Sequence, residues 1–216
     1  MIKIQTNHPV AYDSPDHITP HGTANDNSTD TNFINEVSEF FKNETINFMD
    51  LGCSGGQLVV DFHNRGNFSI GLEGSDYSLL NGRANWPEYG NKILFTSDIT
   101  KPFKVLYGED ETQILFDVIT AWEVVEHIKY EDLNFLFKNI NDSLKHGGIF
   151  LASVSTHEDS IGDAILHQSV FPKETWINEI FPEVLKDTNL IIKEYPFQHW
   201  VRGGSLSFHI MLQKSK

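Results

Sequence analysis

The residues with the most chemical content fall into two sets. The first is Asp50-Leu-Gly52-Cys53-Ser54-Gly55-Gly56, an acidic, glycine-rich run that follows the apolar stretch Ile46–Leu51. Glycines there let the chain turn tightly and let a ligand approach the backbone. A helix starting after them offers unpaired amide N–H groups. The spacing is Gly52-x-Ser54-x-Gly56, not the Gly-x-Gly-x-x-Gly of dinucleotide-binding turns, and the sequence has no Gly-x-x-x-x-Gly-Lys phosphate loop. The second set is histidine: His127, His157, His167 and His199, with His17 and His21 near the start. Imidazole titrates near neutral pH, so each is a candidate general base. A divalent cation is the competing use for such groups, but no metal ligands are assigned. Cys53, the only cysteine, has no redox or nucleophilic partner and reads as a small packed residue. Standing alone it excludes an intramolecular disulfide and points to a reducing, cytoplasmic setting.

These residues need elements to hold them, and the sequence alternates strand and helix patterns. The first thirty residues are polar, and 12–30 reads as loop. That loop still carries Tyr12, His17 and His21, unusual content for a tail. A helix is expected from Asp30 or Thr31, where Phe33, Ile34, Val37, Phe40 and Phe41 recur at helical spacing. Strands are expected at Ile46–Leu51, Phe68–Leu72, Lys92–Phe95, Phe116–Ala121 and Ile149–Val154. Helices are expected at Gln57–Asn64, Tyr77–Arg83 and Glu131–Leu144, the last ending at the glycine stop Lys145-His146-Gly147-Gly148. Beyond 155 the pattern becomes irregular. A helix over Lys173–Ile180 and strands at Leu190–Tyr195 and Ser205–Leu212 follow. The loop between the last two holds His199 and Arg202, and Arg202 could meet an anionic group. Such alternation predicts an α/β domain with a parallel sheet and helices on both faces.

A chain of 216 residues suits one domain. The expected division is 1–30 as a lid segment, 31–154 as the core, and 155–216 as an insertion with the final strands. With 16 basic against 30 acidic residues the formal charge is −14, which repels phosphate backbones and argues against nucleic acid as partner. No apolar run approaches the length of a membrane span, and Met1–Val10 has no signal-peptide apolar region.

The run Asp50–Gly56 resembles motif I of the class I S-adenosylmethionine-dependent methyltransferases, acidic-x-Gly-x-Gly-x-Gly, with Ser54 replacing the middle glycine. Further motifs follow in the family's order. Gly71-Leu-Glu73-Gly-Ser-Asp76 resembles the end of the second strand, and Ser97-Asp98-Ile99 the turn after the third. Ala121-Trp122-Glu-Val-Val-Glu-His127-Ile128 is similar to the fourth-strand motif of a subgroup that includes ubiquinone-pathway methyltransferases. Leu144-Lys-His-Gly-Gly-Ile-Phe150 resembles a later Leu-Lys-Pro-Gly-Gly motif, with His146 in place of proline. The resemblance spans about Ile46 to Val154, half of the chain.

It implies a Rossmann-like seven-stranded sheet in the order 3-2-1-4-5-7-6 with strand 7 antiparallel, and S-adenosyl-L-methionine as cofactor. It places Asp50, Gly52, Ser54 and Gly56 at the cofactor turn. Glu73 would stand on the ribose hydroxyls, Asp98 on the adenine amino group, Ile99 against the ring, and Trp122 beside them. A carboxylate suits the ribose because it is acceptor-only. His127, at the carboxyl edge of the sheet, and His167, in the insertion, are the candidate catalytic residues. The expected reaction is methylation of a small polar acceptor, most simply at a sugar hydroxyl. A lipophilic acceptor stays open through Phe171, Trp176 and Phe181. A protein acceptor and a non-catalytic cofactor-binding role also stay open, as does a homodimer. The absence of an Asn-Pro-Pro-Tyr-type motif after the fourth strand argues against adenine-N6 or glutamine modification.

Overall fold

The computed structural model describes residues 1–215. The chain opens with a strand not foreseen, β1 (Ile2–Thr6), in which Ile2 and Ile4 alternate with polar residues, and two short helices follow, α1 (Pro15–Ile18) and α2 (His21–Asn25). The segment expected to be loop is therefore partly helical. Next comes α3 (Thr31–Phe40), whose start is fixed by Asp30, its side chain accepting from the Phe33 amide at 2.7 Å. Its apolar residues Phe33, Ile34 and Val37 are buried.

The core then alternates as expected. It runs β2 (Asn47–Leu51), α4 (Gln57–Asn64), β3 (Phe68–Glu73), α5 (Tyr77–Leu80), α6 (Trp86–Tyr89) and β4 (Leu94–Thr96). The helix expected over Tyr77–Arg83 thus stops at Leu80, and α6 is a separate turn beyond it. A pair of strands not foreseen, β5 (Phe103–Tyr107) and β6 (Thr112–Gln113), joins β1 in a separate three-stranded sheet of order β1-β5-β6. β1 gains its partner from a segment about a hundred residues away, which no local pattern reveals.

β7 (Phe116–Trp122), α7 (Leu133–Ser143) and β8 (Leu144–Ser155) follow. The glycine stop differs from its sequence reading: α7 ends at Ser143 and Leu144 already pairs with Phe116. The register then shifts, and the next pair is Val118 with Ile149. Lys145–Gly148 forms the irregularity, with Gly147 at φ +82° and Lys145 Nζ 2.7 Å from Asp117. Beyond β8 come the small hairpin β9 (Ser160–Ile161) and β10 (Ala164–Ile165). The helix α8 (Lys173–Thr175) passes through a π turn over 176–180 into α9 (Phe181–Val184), longer than the expected Lys173–Ile180. β11 (Leu190–Lys193) and β12 (Ser207–Lys214) close the chain.

The large sheet has seven strands in the order β4-β3-β2-β7-β8-β12-β11. All neighbours are parallel except at β12, which is antiparallel to both β8 and β11. This is the order and polarity that the resemblance implies. Each face of the sheet carries its own apolar layer. Met49, Leu51, Ile70 and Phe150 face α7 and the 173–184 helix, while Phe48, Leu58 and Phe62 pack with α3 and α4 on the other side. Phe48 and Phe62 stack with centroids 3.9 Å apart. Alternation along β2 sends Phe48 to one layer and Met49 to the other, leaving Asp50 at the carboxyl end where the sheet opens.

Candidate active site

The turn after β2 is built by its own neighbours. Gly52 has φ +70°, and a β-carbon there would lie 2.5 Å from Val124 Cγ2. Gly56 has φ +85°, and a β-carbon would lie 2.5 Å from Leu94 Cδ1. Only glycine fits either position. Asp50 is buried and accepts from Thr120 Oγ1 at 2.6 Å. Burial raises its carboxyl to about 7, and the nearby Asp26 and Glu73 add to the shift against the Thr120 bond.

Glu73 closes β3 beside this turn. Its Oε2 accepts from the Ser54 amide at 2.7 Å, and its Oε1 from Thr23 Oγ1 at 3.2 Å and the Ser75 amide at 3.3 Å. Burial pushes its pKa up while these bonds oppose the shift. Thr23 belongs to a strap, residues 21–27, laid across the turn. Ser54 Oγ donates to the Asp26 carbonyl at 2.8 Å, and Arg83 donates to both that carbonyl and Ser54 Oγ. Asn27 Oδ1 accepts from the Gln57 amide at 3.0 Å, capping α4 where Gly56 has no side chain to do so.

One cavity of about 710 Å³ connects these groups with the histidines. Its wall includes Gly52, Ser54, Glu73, Asp98, Ile99 and Trp122, and also His127, His157 and His167. His127 follows β7 in a single 3-10 turn (Val125–His127). Its Nδ1 is 2.8 Å from Asp16 Oδ2, brought over by α1. Burial alone would lower the His127 pKa, but the Asp16 hydrogen bond and charge, with Glu126 and Asp159, raise it. His167 stands edge-on to it with ring centroids 4.7 Å apart, and its Nδ1 is 2.6 Å from the His157 carbonyl. Burial lowers the His167 pKa, and the neighbouring His127 and His157 add to this. Glu126 is wholly buried, and burial lifts its carboxyl to about 7.

Of the ten residues assigned to cofactor or catalysis from sequence, eight line this cavity: Gly52, Ser54, Glu73, Asp98, Ile99, Trp122, His127 and His167. Asp50 and Gly56 lie behind its wall. Asp98 spends one oxygen on the Thr100 amide and hydroxyl, at 2.9 and 2.7 Å. His21, His157 and Arg202 also reach the cavity, with Arg202 3.4 Å from Asp26. His199 does not: it pairs with Glu36 at 2.9 Å. His17 turns to Ser75 and Asp76. Cys53 is buried, and burial among carboxylates holds its thiol well above the usual range. Sequence reasoning missed Asp16, Thr23, Arg83 and Glu126. The histidines and tyrosine of the opening segment were the one signal that it belongs to the site.

The turn fits a nucleoside-bearing ligand on its own evidence. Glu73 has an acceptor position left beyond its three donors. Trp122, in the wall, keeps a buried Nε1–H with no partner. The volume lies within the range of small-ligand sites.

A family model described as a methyltransferase domain matches residues 29–188, about three quarters of the chain. The ubiquinone biosynthesis O-methyltransferase of Chelativorans sp. (strain BNC1) is 27% identical over 124 residues, 57% of this chain and 46% of that protein. The human mitochondrial ubiquinone biosynthesis O-methyltransferase is 26% identical over 191 residues, 78% of this chain and 50% of that protein. The chain thus spans about half the length of these curated relatives. Among solved structures, an amino pentose methyltransferase from Micromonospora echinaspora, bound to S-adenosylmethionine, superposes with a TM-score of 0.56 at 11% identity, covering 85% of this chain and 89% of that one. An S-adenosylmethionine-dependent methyltransferase from Clostridium acetobutylicum gives 0.55 at 15% identity, covering 85% and 90%. At such identity these structures speak for the fold. With the family match over most of its length and the sheet order and polarity described above, the chain belongs to the methyltransferase-domain family and has the Rossmann-like fold of the class I S-adenosylmethionine-dependent enzymes.

Proposed function

We propose that this chain transfers the methyl group of S-adenosyl-L-methionine to a hydroxyl of a small polar acceptor, a sugar or a sugar-like molecule. The observation that carries the reading is the single cavity that touches both the β2 turn and the His127–His167 pair. When bound, the cofactor supplies an activated methyl on a sulfonium, whose departure needs alignment more than activation. Glu73 would take the ribose hydroxyls, Asp98 the adenine amino group, and Ile99 and Trp122 the ring. Gly52, Ser54 and Gly56 shape the turn, and Asp50 supports it from behind. His127 and His167 would activate the acceptor hydroxyl, and Asp16 would orient His127.

Two observations favour a polar acceptor over a lipophilic one. Trp176 and Phe181, the aromatic residues of the lipophilic alternative, are wholly buried between sheet and helix, and neither they nor Phe171 lines the cavity. The wall offers Asp13, Lys101, Lys129, His157, Asp159 and Arg202 beside the apolar Val10, Tyr12, Val124, Ile128 and Leu166. The curated relatives are named for O-methylation, which supports oxygen as the atom methylated. No helix among the described residues is long and apolar enough to cross a membrane.

The test is isotope transfer from methyl-labelled cofactor across a panel of free sugars, nucleotide-linked sugars and phenols. Labelled sugar ether is the expected product, and label found only in phenols would reject the polar reading. His127→Ala and His167→Ala should each lower turnover at least tenfold while cofactor affinity stays within about threefold. Unchanged turnover in both would remove these histidines from the chemistry.

A further inference from the structure

The geometry points to a divalent-cation site at the acceptor end of this cavity, made by His127 and His167 of its wall and by Glu126 buried behind them. One ligating atom from each of the three lies within 4.8 Å of the others, near enough for small side-chain rotations to bring all three onto one ion. Glu126 is wholly buried, and neither carboxylate oxygen has a hydrogen-bond partner. The backbone amides of Glu126 itself and of Ser155 lie close enough to favour its charged form, but neither reaches full hydrogen-bond geometry with a carboxylate oxygen. A buried carboxylate without a donor is costly, and a cation is a partner that would offset that cost.

The surroundings of the two imidazoles agree. Each ring has its Nδ1 engaged, His127 with the Asp16 carboxylate and His167 with the His157 carbonyl. That leaves Nε2 on both as the ligating atom. Histidines that bind metals are oriented in this way, by a carboxylate or carbonyl on the far nitrogen. The two ligand segments are also tied together by the backbone. The Gln168 and Ser169 amides donate to the Glu126 carbonyl at 2.7 and 2.9 Å, so the segment carrying His167 is fixed on the turn carrying Glu126 and His127.

Two imidazoles and one carboxylate suit a first-row cation such as Zn²⁺ rather than Mg²⁺ or Ca²⁺, which prefer all-oxygen sets. Three protein ligands leave a position for an oxygen of the acceptor. The cation's role rests on the polar-acceptor reading and specifies how the two histidines activate the hydroxyl there: as ligands of a cation that would polarise it, not as free bases. The hydroxyl O–H bond breaks and its proton passes to water. The oxygen then bonds the methyl carbon as the methyl–sulfur bond breaks, its electron pair remaining on sulfur.

The experiment is metal binding by the full chain, stripped with chelator and titrated with Zn²⁺ by calorimetry. Co²⁺ absorption reports the coordination. Neither cofactor nor acceptor is present, so failure of the methyl-transfer reading cannot mask the result. One equivalent should bind with micromolar or tighter affinity, with visible Co²⁺ bands. Glu126→Gln and His167→Ala should each weaken binding at least tenfold, while His146→Ala, remote from the cavity, changes it less than twofold. S-adenosylhomocysteine affinity should stay within threefold in His167→Ala, separating loss of the cation from loss of the cofactor pocket. If Glu126→Gln fails to fold, His167→Ala carries the test. Absence of stoichiometric binding, or binding indifferent to these substitutions, would overturn the site.

Discussion

Glu73 and Asp50 sit 23 residues apart in sequence, yet the structure gives them different tasks. Glu73 accepts from the Ser54 and Ser75 amides and from Thr23, so it organises the turn as well as facing the cavity. Removing its side chain would loosen the turn and blur the result, so Glu73→Gln is the sharper probe. The amide oxygen can still accept from Ser54, but half of the carboxylate's capacity for ribose donors is lost. Its NH2 group then faces the Ser75 amide, which loses its acceptor, so stability should fall by about 1–3 kcal/mol. Cofactor affinity measured on the folded variant should fall tenfold or more, and calorimetry that finds unaltered affinity would remove Glu73 from the ribose role. Gly52→Val is less clean, because it adds a clash with Val124 and a strained positive φ. Asp50 answers to pH. Its carboxyl is raised in the fold to about 7 from an ordinary value near 3.8. The fold therefore disfavours its charged form, and stability is lost as pH climbs from about 4 to about 7, by roughly 4 kcal/mol at most. Asp50→Asn should match the wild type in urea melts at pH 4 and exceed it at pH 8. An equal difference at both pH values would contradict the buried-acid account.

At the scale of elements, the strap over residues 21–27 is the unexpected part. Short helices such as α1 and α2 are not stable by themselves. They are held through contacts with the core, chiefly Arg83 on Ser54 and the Asp26 carbonyl, and Asn27 on the α4 N-terminus. Arg83→Ala removes a charged donor from both bonds, each worth about 1.5–3 kcal/mol in such settings. Proteolysis within residues 13–30 should quicken by at least tenfold while the core resists, as mass mapping of early fragments would show. Early cuts scattered through the core would instead mean that the strap is no separate unit. The strap also carries Thr23 onto Glu73, so a ribose hydroxyl seeking that oxygen must displace the Thr23 donor.

At the scale of the molecule, both apolar layers share one sheet, so the chain should unfold as a single unit. A ligand that binds only the folded state at a hundred times its Kd adds about 2.7 kcal/mol. For a chain of this size that corresponds to a rise in Tm of roughly 5–10 °C. Saturating S-adenosylhomocysteine should produce such a shift in one calorimetric transition. No shift at that saturation would argue that the cavity does not hold it.

The sequence determined what is local. The Asp50–Gly56 turn, the buried strands and the amphipathic period of α7 are contiguous runs whose spacing imposes their form. The family resemblance places Asp98, Ile99 and Trp122 at the cavity, and the fold bears on why: each ends or closely follows a strand, and in an open α/β sheet the strand ends meet. Only the tertiary structure decided what depends on distant partners. Asp16 reaches His127 across 111 positions, Thr23 reaches Glu73 across 50, and β1 needs β5 to be a strand at all. Glu126 shows the same limit at one residue. Its sequence context says only that it precedes a histidine, while its burial without a partner beside His167 exists only once two separate segments are packed together. Spacing along a chain encodes direction within an element, whereas burial and pairing between elements are set by the closing of the core.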